Sequence, residues 1–351
     1  MNLKGQSPQG VMNRRDFLKL SGFLGVGFSS LTVVPAWAES VLFNRSLYKV
    51  SRTRLSMGTY ITITVMDPSR DRAEEAVGKA YEEIERLTRM MNRFDEAAAV
   101  AHLNKEGVLK DVPPELGGVI VKAKEIHHLT GGYFDITVKP VVDIFKACAE
   151  KGEFREPPEG DLKKALALVG SDMIDVKGGT VAFRRPGMGI TLDGIAKGYI
   201  VDRASEVISA HGVANHLINA GGDIRAEGMK NGKEPWTIAI QDPEKKDNYP
   251  DTIKMSGGSI ATSGNYEVYF DKEKLFHHIV NPATGHSPVK ASSVSVTALT
   301  VMEADALATG VFVMGPEEGR NFLNKLPAYD GLIVARDGSV FKTGGWKSAT
   351  I

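Results

Sequence analysis

Cysteine is all but missing from this 351-residue chain, in which Cys148 stands alone. A single thiol cannot close a disulfide within the chain, and its apolar helical surroundings are those in which a lone cysteine is most often inert core. Net charge is missing as well. Lys and Arg total 43, Asp and Glu also total 43, and neither sign gathers into a block. That balance offers no basic patch for nucleic acid and no acidic disordered tail. No repeat or low-complexity segment is present. The most sustained apolar stretch, residues 20–34, is diluted by glycine and serine, and it falls short of the ~20 apolar residues that cross a bilayer. No stable membrane span is expected in the mature chain. What remains is an ordinary globular composition, long enough to bury one large core or two small ones.

The N-terminus carries an address rather than a fold. Asn13-Arg14-Arg15-Asp16-Phe17-Leu18-Lys19 precedes the apolar stretch, and Ala36-Trp37-Ala38 follows it. These are the basic, apolar and small-x-small parts of a cleavable secretory signal. The paired arginines resemble a twin-arginine signal, so residues 1–38 are expected to be an export segment and the mature protein soluble and periplasmic. No cysteine follows the apolar stretch, so a lipid anchor is not supported. Removing four basic and one acidic residue leaves 39 basic against 42 acidic.

Residues 39–351 read as one functional domain. Residues 48–66 suggest a strand pair broken at Met57-Gly58-Thr59. Residues 71–94 form the clearest helix, with Ala73, Ala76, Val77, Ala80, Tyr81, Ile84, Leu87 and Met91 on one stripe. A second helix over 116–129 ends at Gly131-Gly132. The Pro/Gly-rich run 151–161 marks a lobe boundary, and Asp161 is expected to cap a short helix to residue 169. Residues 173–183 read as a hairpin turning at 177–179. Later strands are expected at 236–241, 259–262, 267–270, 276–280 and 294–298, helices at 305–314 and 317–326, and a hairpin over 332–340. Without a regular βα repeat, the mixture is α+β.

Residues 189–223 are the centre of this organisation. Ile190 and Leu192 suggest a short strand broken at Asp193-Gly194, followed by a helix and a returning strand over 214–218. Both loops place small residues beside an acid, at Asp193-Gly194 and at Gly221-Gly222-Asp223. Glycine allows a polyphosphate close to the backbone, and a helix N-terminus offers free N–H groups to an anion. Lys197 would sit where phosphate charge arrives. The plainer alternative is a crossover whose glycines only make turns.

Three later stretches look unlike scaffold. Residues 259–265 end a strand in small hydroxylated residues suited to ligand contact. His277-His278 precede an Asn281-Pro282-Ala283-Thr284-Gly285 turn. Neighbouring strand residues face opposite ways, so only one of the two histidines enters any site, and the pair cannot converge on zinc. Asp305 and Thr309, four apart on a helix, stack oxygens on one face. Hard oxygen donors of that kind suit Mg²⁺; the alternative is a first-turn acid beside a packed threonine.

Taken together, these stretches resemble the ApbE family of FAD:protein FMN transferases. The matching pieces are Met57-Gly58-Thr59, Gly132-Tyr133-Phe134-Asp135-Ile136-Thr137 and Leu192-Asp193-Gly194-Ile195-Ala196-Lys197-Gly198-Tyr199. They continue with Asn219-Ala220-Gly221-Gly222-Asp223, residues 259–264, residues 278–285, and Ala304-Asp305-Ala306 with Thr309. The resemblance implies a two-lobed α+β fold with FAD in the cleft between lobes. It implies transfer of FMN from FAD to a Thr or Ser hydroxyl of an acceptor protein, with AMP released. By this likeness Met57, Phe94, Tyr133, Phe134, Asp135, Thr191, Lys197, His278 and Ile279 would surround FAD. Mg²⁺ would be held by Asp305, Thr309 and the Gly194 carbonyl. The acceptor would be an FMN-bearing respiratory or ion-pumping subunit with an Asp-x-x-[Ser/Thr]-Gly-Ala-[Ser/Thr]-like segment.

The chemistry agrees with this implication. Cleaving a diphosphate calls for neutralised charge on its oxygens, which Mg²⁺ and Lys197 supply. A neutral histidine suits removal of the acceptor's proton near pH 7, and His278 is the expected base. Many family members carry Asp where this chain has Thr191 and a small residue where it has Asp193, leaving open which of the two meets flavin or metal. A metal-dependent FAD pyrophosphatase and a non-catalytic periplasmic flavin-binding protein are the competing readings.

Overall fold

β-Branched residues alternate through residues 48–66 and fold into paired strands. The computed structural model describes residues 12–13, 39–44, 46–149, 156–243, 248–265, 277 and 279–349. Strands β1 (Glu39–Asn44), β2 (Leu47–Ser56) and β3 (Thr59–Asp67) form an antiparallel meander. Met57 (φ 52°) and Gly58 (φ 73°) make its second turn, a left-handed pair whose twist suits a two-residue hairpin. Helices α1 (Arg70–Met91) and α2 (Ala99–Glu106), the short β4 (Val108–Leu109), and helices α3 (Pro114–Leu129), α4 (Lys139–Ala149) and α5 (Glu159–Leu166) follow. Next come the hairpin β5 (Ile174–Lys177) and β6 (Thr180–Phe183), helix α6 (Ala196–Ala210), β7 (Asn215–Ala220) and β8 (Asp223–Glu227). The last part holds β9 (Trp236–Ala239), β10 (Thr252–Met255), β11 (Ser259–Gly264), β12 (Ala291–Ala298), α7 (Val301–Met314), α8 (Pro316–Leu323), β13 (Asp330–Ala335) and β14 (Val340–Lys342).

Among the described residues, nine strands form one antiparallel sheet in the order β14-β13-β12-β11-β8-β7-β3-β2-β1. The fold is α+β, as expected. Both faces are covered, which the two-residue period records directly. Ile218 and Ile333 join the core shared with α1, α6 and α7, whereas Leu217, Leu332 and Val334 join the one under the β9–β10 ribbon. The whole expected stripe of α1 is buried. Ser69 caps that helix by accepting from the Arg72 N–H at 3.3 Å, and the Tyr81 hydroxyl lies 2.8 Å from the carbonyls of Arg52 and Ile61. Helix α1 thereby grips the β2–β3 ladder.

Four expectations need correcting. Residues 189–192 are not a strand. Asn104 Oδ1 accepts from Ile190 N at 2.7 Å, Asn104 Nδ2 donates to Ile190 O at 2.9 Å, and Thr191 N donates to Ile136 O at 2.8 Å. A side-chain amide thus takes the place of a ladder. Asp161 lies inside the first turn of α5, whose N-cap is Pro158. Helix α7 begins four residues before the expected 305, because Thr300 and Asp202 satisfy its first N–H groups. Residues 279–280 are irregular rather than strand, with His277 in an isolated bridge. The expected export segment apart from 12–13, residues 151–155 of the expected lobe boundary and the expected strand 267–270 lie outside the described residues.

Candidate functional site

A cleft opens where the turn at residues 133–138, the turn entering α6, the end of β11 and the inner face of α7 meet. Tyr133, Phe134, Asp135, Thr191, Asp193, Gly194, Lys197, Ser263, Ile279, Asp305 and Thr309 are among its lining residues. Nine of the expected site residues therefore converge from segments scattered through the chain. Ile136, Val138, Val142, Thr262, Gly264, Val280 and Pro282 complete its wall. Of these, only Val138 and Val142 fall outside the stretches that the sequence singled out.

Helix crossing sets the position of Asp305. A Cβ on Gly198 would lie 2.5 Å from the Val301 carbonyl oxygen, so only glycine lets α6 approach α7 this closely. Asp202, on the same helix, accepts from the Val301 and Met302 N–H groups at 2.9 Å each. Asp305, 5% exposed, accepts from Gly198 N at 3.1 Å through Oδ2. Thr309 follows one turn later on the same face; its Oγ1 lies 3.1 Å from Ser263 Oγ. A Cβ on Gly194 would stand 2.9 Å from that same Oγ1.

The Gly194 backbone, the Thr309 hydroxyl and the Asp305 carboxylate are thus neighbours, and all offer hard oxygen. Among the described residues no group of three or more His, Cys, Asp or Glu side chains is placed to hold a metal. A cation seated here would draw its other ligands from water or from a substrate's oxygens. That donor set fits Mg²⁺, which keeps waters and favours phosphate oxygens. Lys197 sits beside it, with Nζ 3.0 Å from Oδ2 of the buried Asp223. The first turn of α6 is thereby tied by an ion pair to the Gly221-Gly222-Asp223 loop.

Asp135 has a different setting from its neighbours. Its Oδ1 accepts from Thr137 N at 2.8 Å, Thr137 Oγ1 at 2.5 Å and Ser171 Oγ at 2.7 Å; its Oδ2 accepts from Ser171 N at 3.0 Å. His127 Nδ1 lies 3.1 Å from Oδ2. Burial pushes the carboxyl up, but the hydrogen bonds from His127, Thr137 and Ser171 outweigh it and hold the pKa below the usual carboxylate range. The same bond raises the His127 pKa. The carboxylate braces the turn that carries Tyr133 and Phe134 to the cleft. Tyr133 itself donates its hydroxyl to Glu318 Oε1 at 2.8 Å.

Two expected flavin contacts stand apart from these lining residues. Phe94 is 65% exposed, beyond the end of α1, because Asn92 leaves the helix in an extended conformation. Arg93 and Lys146 flank its ring, at 4.3 and 5.0 Å from the centroid. Met57 occupies the β2–β3 turn and packs partly against the main core. That turn reaches the cleft region only indirectly: a Cβ on Gly221 would meet Thr59 Oγ1 at 2.4 Å, and one on Gly222 would lie 3.9 Å from Thr262. His278 lies outside the described residues. His277 is buried; its N–H donates to Ser287 Oγ at 2.9 Å, and its ring Nε2 lies 3.1 Å from Pro288 O.

Sequence reasoning missed Arg93, Asp202, His127 and Ser171. Arg93, Asp202 and Ser171 act on residues distant in the chain, which no local pattern reports, and His127 reaches Asp135 across the turn that ends α3.

Residues 57–333 match the model of the ApbE family. The FAD:protein FMN transferase of Haemophilus influenzae is 28% identical over 316 residues, covering 84% of this chain and 90% of that one. The FAD:protein FMN transferase of Vibrio cholerae is 34% identical over 205 residues, a segment spanning 57% of this chain and 61% of that relative. The crystal structure of the ApbE protein from Thermotoga maritima superposes with a TM-score of 0.76 at 30% identity, covering 84% of this chain and 97% of the other. The flavin transferase ApbE from Vibrio cholerae gives 0.72 at 25% identity, with 85% and 98% covered. On the extent of the family match and the agreement in fold, this chain belongs to the ApbE family.

Proposed function

We propose that this protein is an exported FAD:protein FMN transferase, which moves FMN from FAD to a Thr or Ser hydroxyl of an acceptor protein and releases AMP. The observation that carries the reading is the convergence of Gly194, Asp305 and Thr309 beside Lys197 in one cleft. Tyr133, Phe134 and Ile279 offer apolar surface to the flavin part, while Thr191 and Lys197 lie toward the diphosphate. In the reaction the acceptor oxygen bonds to the FMN phosphorus, the bond from that phosphorus to the bridging oxygen breaks, and AMP leaves with that oxygen. Mg²⁺ bound at the oxygen cluster would neutralise diphosphate charge. Lys197 adds a fixed positive charge near the leaving oxygen, its ammonium oriented by Asp223. His278 takes the acceptor's proton on a ring nitrogen; the lining residues Ile279 and Val280 adjoin it in the chain. The acceptor is a respiratory or ion-pumping flavoprotein subunit met in the periplasm after twin-arginine export.

Incubation with FAD, Mg²⁺ and a protein bearing an Asp-x-x-[Ser/Thr]-Gly-Ala-[Ser/Thr] segment tests this. Flavin fluorescence on the denatured acceptor, with stoichiometric AMP, is the expected result. Free FMN and AMP with an unlabelled acceptor would make the protein a pyrophosphatase, and intact FAD would make it a binding protein. A His278→Asn variant is expected to bind FAD and transfer slowly; transfer at the parent rate would remove His278 from the mechanism.

A further inference from the structure

Asp193 places a carboxylate on the wall of a cleft that, on the transferase reading, receives the diphosphate of FAD. Like charges repel in such a setting, and partial burial weakens the screening by salt. That carboxylate is held by Arg93, whose Nη2 donates to Oδ2 at 2.8 Å while Nε lies 3.5 Å from Oδ1. The two residues are 100 positions apart in sequence. Arg93 is committed to this place: its side chain is 11% exposed, against 49% for Asp193. Phe94 stacks 4.3 Å from the guanidinium carbon, and Asp143 Oδ1 lies 3.9 Å from Nη1. On the other side, the Asp193 N–H donates to Thr191 Oγ1 at 3.3 Å. Backbone and side chain of Asp193 are both fixed, with the carboxylate turned to the arginine.

The geometry points to Arg93 as a positioning residue that acts through Asp193: it draws the carboxylate aside and neutralises it, so that the cleft wall accepts a dinucleotide's diphosphate. The inference rests on the transferase reading and adds to it a determinant of substrate affinity. It requires effects of opposite sign. Removing the arginine exposes the ligand to an uncompensated negative charge. Removing the aspartate's charge leaves the arginine's positive charge beside the ligand. Removing both restores the balance.

The test is FAD titration by fluorescence quenching in Mg²⁺ for the parent protein, Arg93→Met, Asp193→Asn and the double variant, with thermal denaturation in parallel. Arg93→Met is expected to weaken FAD binding on the order of tenfold. Asp193→Asn is expected to bind FAD more tightly than the parent, and the double variant to return within about threefold of it. Weaker binding by Asp193→Asn would overturn the inference, since the aspartate would then be a ligand or a strap. A double variant as weak as Arg93→Met would overturn it too, because Arg93 would then contact FAD itself. Should Arg93→Met fail to fold, the sign of the Asp193→Asn change decides alone. A parent protein that ignores FAD would instead defeat the transferase reading.

Discussion

Gly194 and Thr309 meet so closely that a methyl group on the glycine would stand 2.9 Å from the threonine hydroxyl. One belongs to the turn before α6 and the other to the third turn of α7, so their contact ties two parts of the site together. Gly194→Ala is expected to push the Thr309 side chain by a few tenths of an ångström. Transfer should fall by about tenfold to a hundredfold, as misplacement within a site commonly does. The Mg²⁺ concentration for half-maximal rate should rise. Steady-state rates across a Mg²⁺ series, with urea unfolding as the control, check this.

A different glycine guards the scaffold. Gly198→Ala would set its Cβ 2.5 Å from a backbone oxygen and 2.7 Å from Met302 Cα, neither of which can rotate away. Helices α6 and α7 would have to part, taking with them the N–H that holds Asp305. Overpacking of this kind costs about 1–3 kcal/mol or more. Urea midpoints should show that loss, and an unchanged midpoint would mean that the two helices are free to slide.

Two buried groups near that crossing titrate in opposite directions. His216 is buried with Nε2 2.6 Å from Ser205 Oγ, and burial pulls its pKa down from 6.5 to about 4. The native state therefore binds fewer protons than the unfolded chain between those values, and stability falls as pH drops from 6.5 to 4, by roughly 3 kcal/mol. Asp202, its side chain 12% exposed, is pushed up from 3.8 to about 6 by burial. Its native state binds more protons over nearly the same window, so its contribution grows as pH falls from 6 to 3.8. The two slopes oppose each other in the parent. Relative to parent, His216→Gln should become less destabilising on acidification, and Asp202→Asn more so. Unfolding free energies of all three proteins at pH 4 and pH 7 read the two slopes.

How much of this was legible in the sequence depends on the distance over which each feature is decided. The α1 stripe and the hairpins at Met57-Gly58 and Gly178-Gly179 are fixed by neighbours within a few residues, and they were read correctly. Gly194, Lys197, Asp305 and Thr309, singled out for small residues beside acids and for helical spacing, line one cleft. Residues 189–192 misled, since an apolar pair spaced like a strand is held by Asn104 instead. The start of α7 was missed because part of its cap, Asp202, comes from another helix. Strand order, and the seat of Asp135 against Ser171, are decided by contacts remote in sequence.

The central claim is that the cleft holds FAD with a divalent cation seated on Asp305 and Thr309. Calorimetric titration of FAD into the purified protein, in Mg²⁺ and in excess chelator, tests it most directly when repeated with Asp305→Asn. The account predicts binding by the parent that weakens on chelation, and an Asp305→Asn variant indifferent to the chelator. Absence of FAD binding to the parent, with or without Mg²⁺, would contradict it.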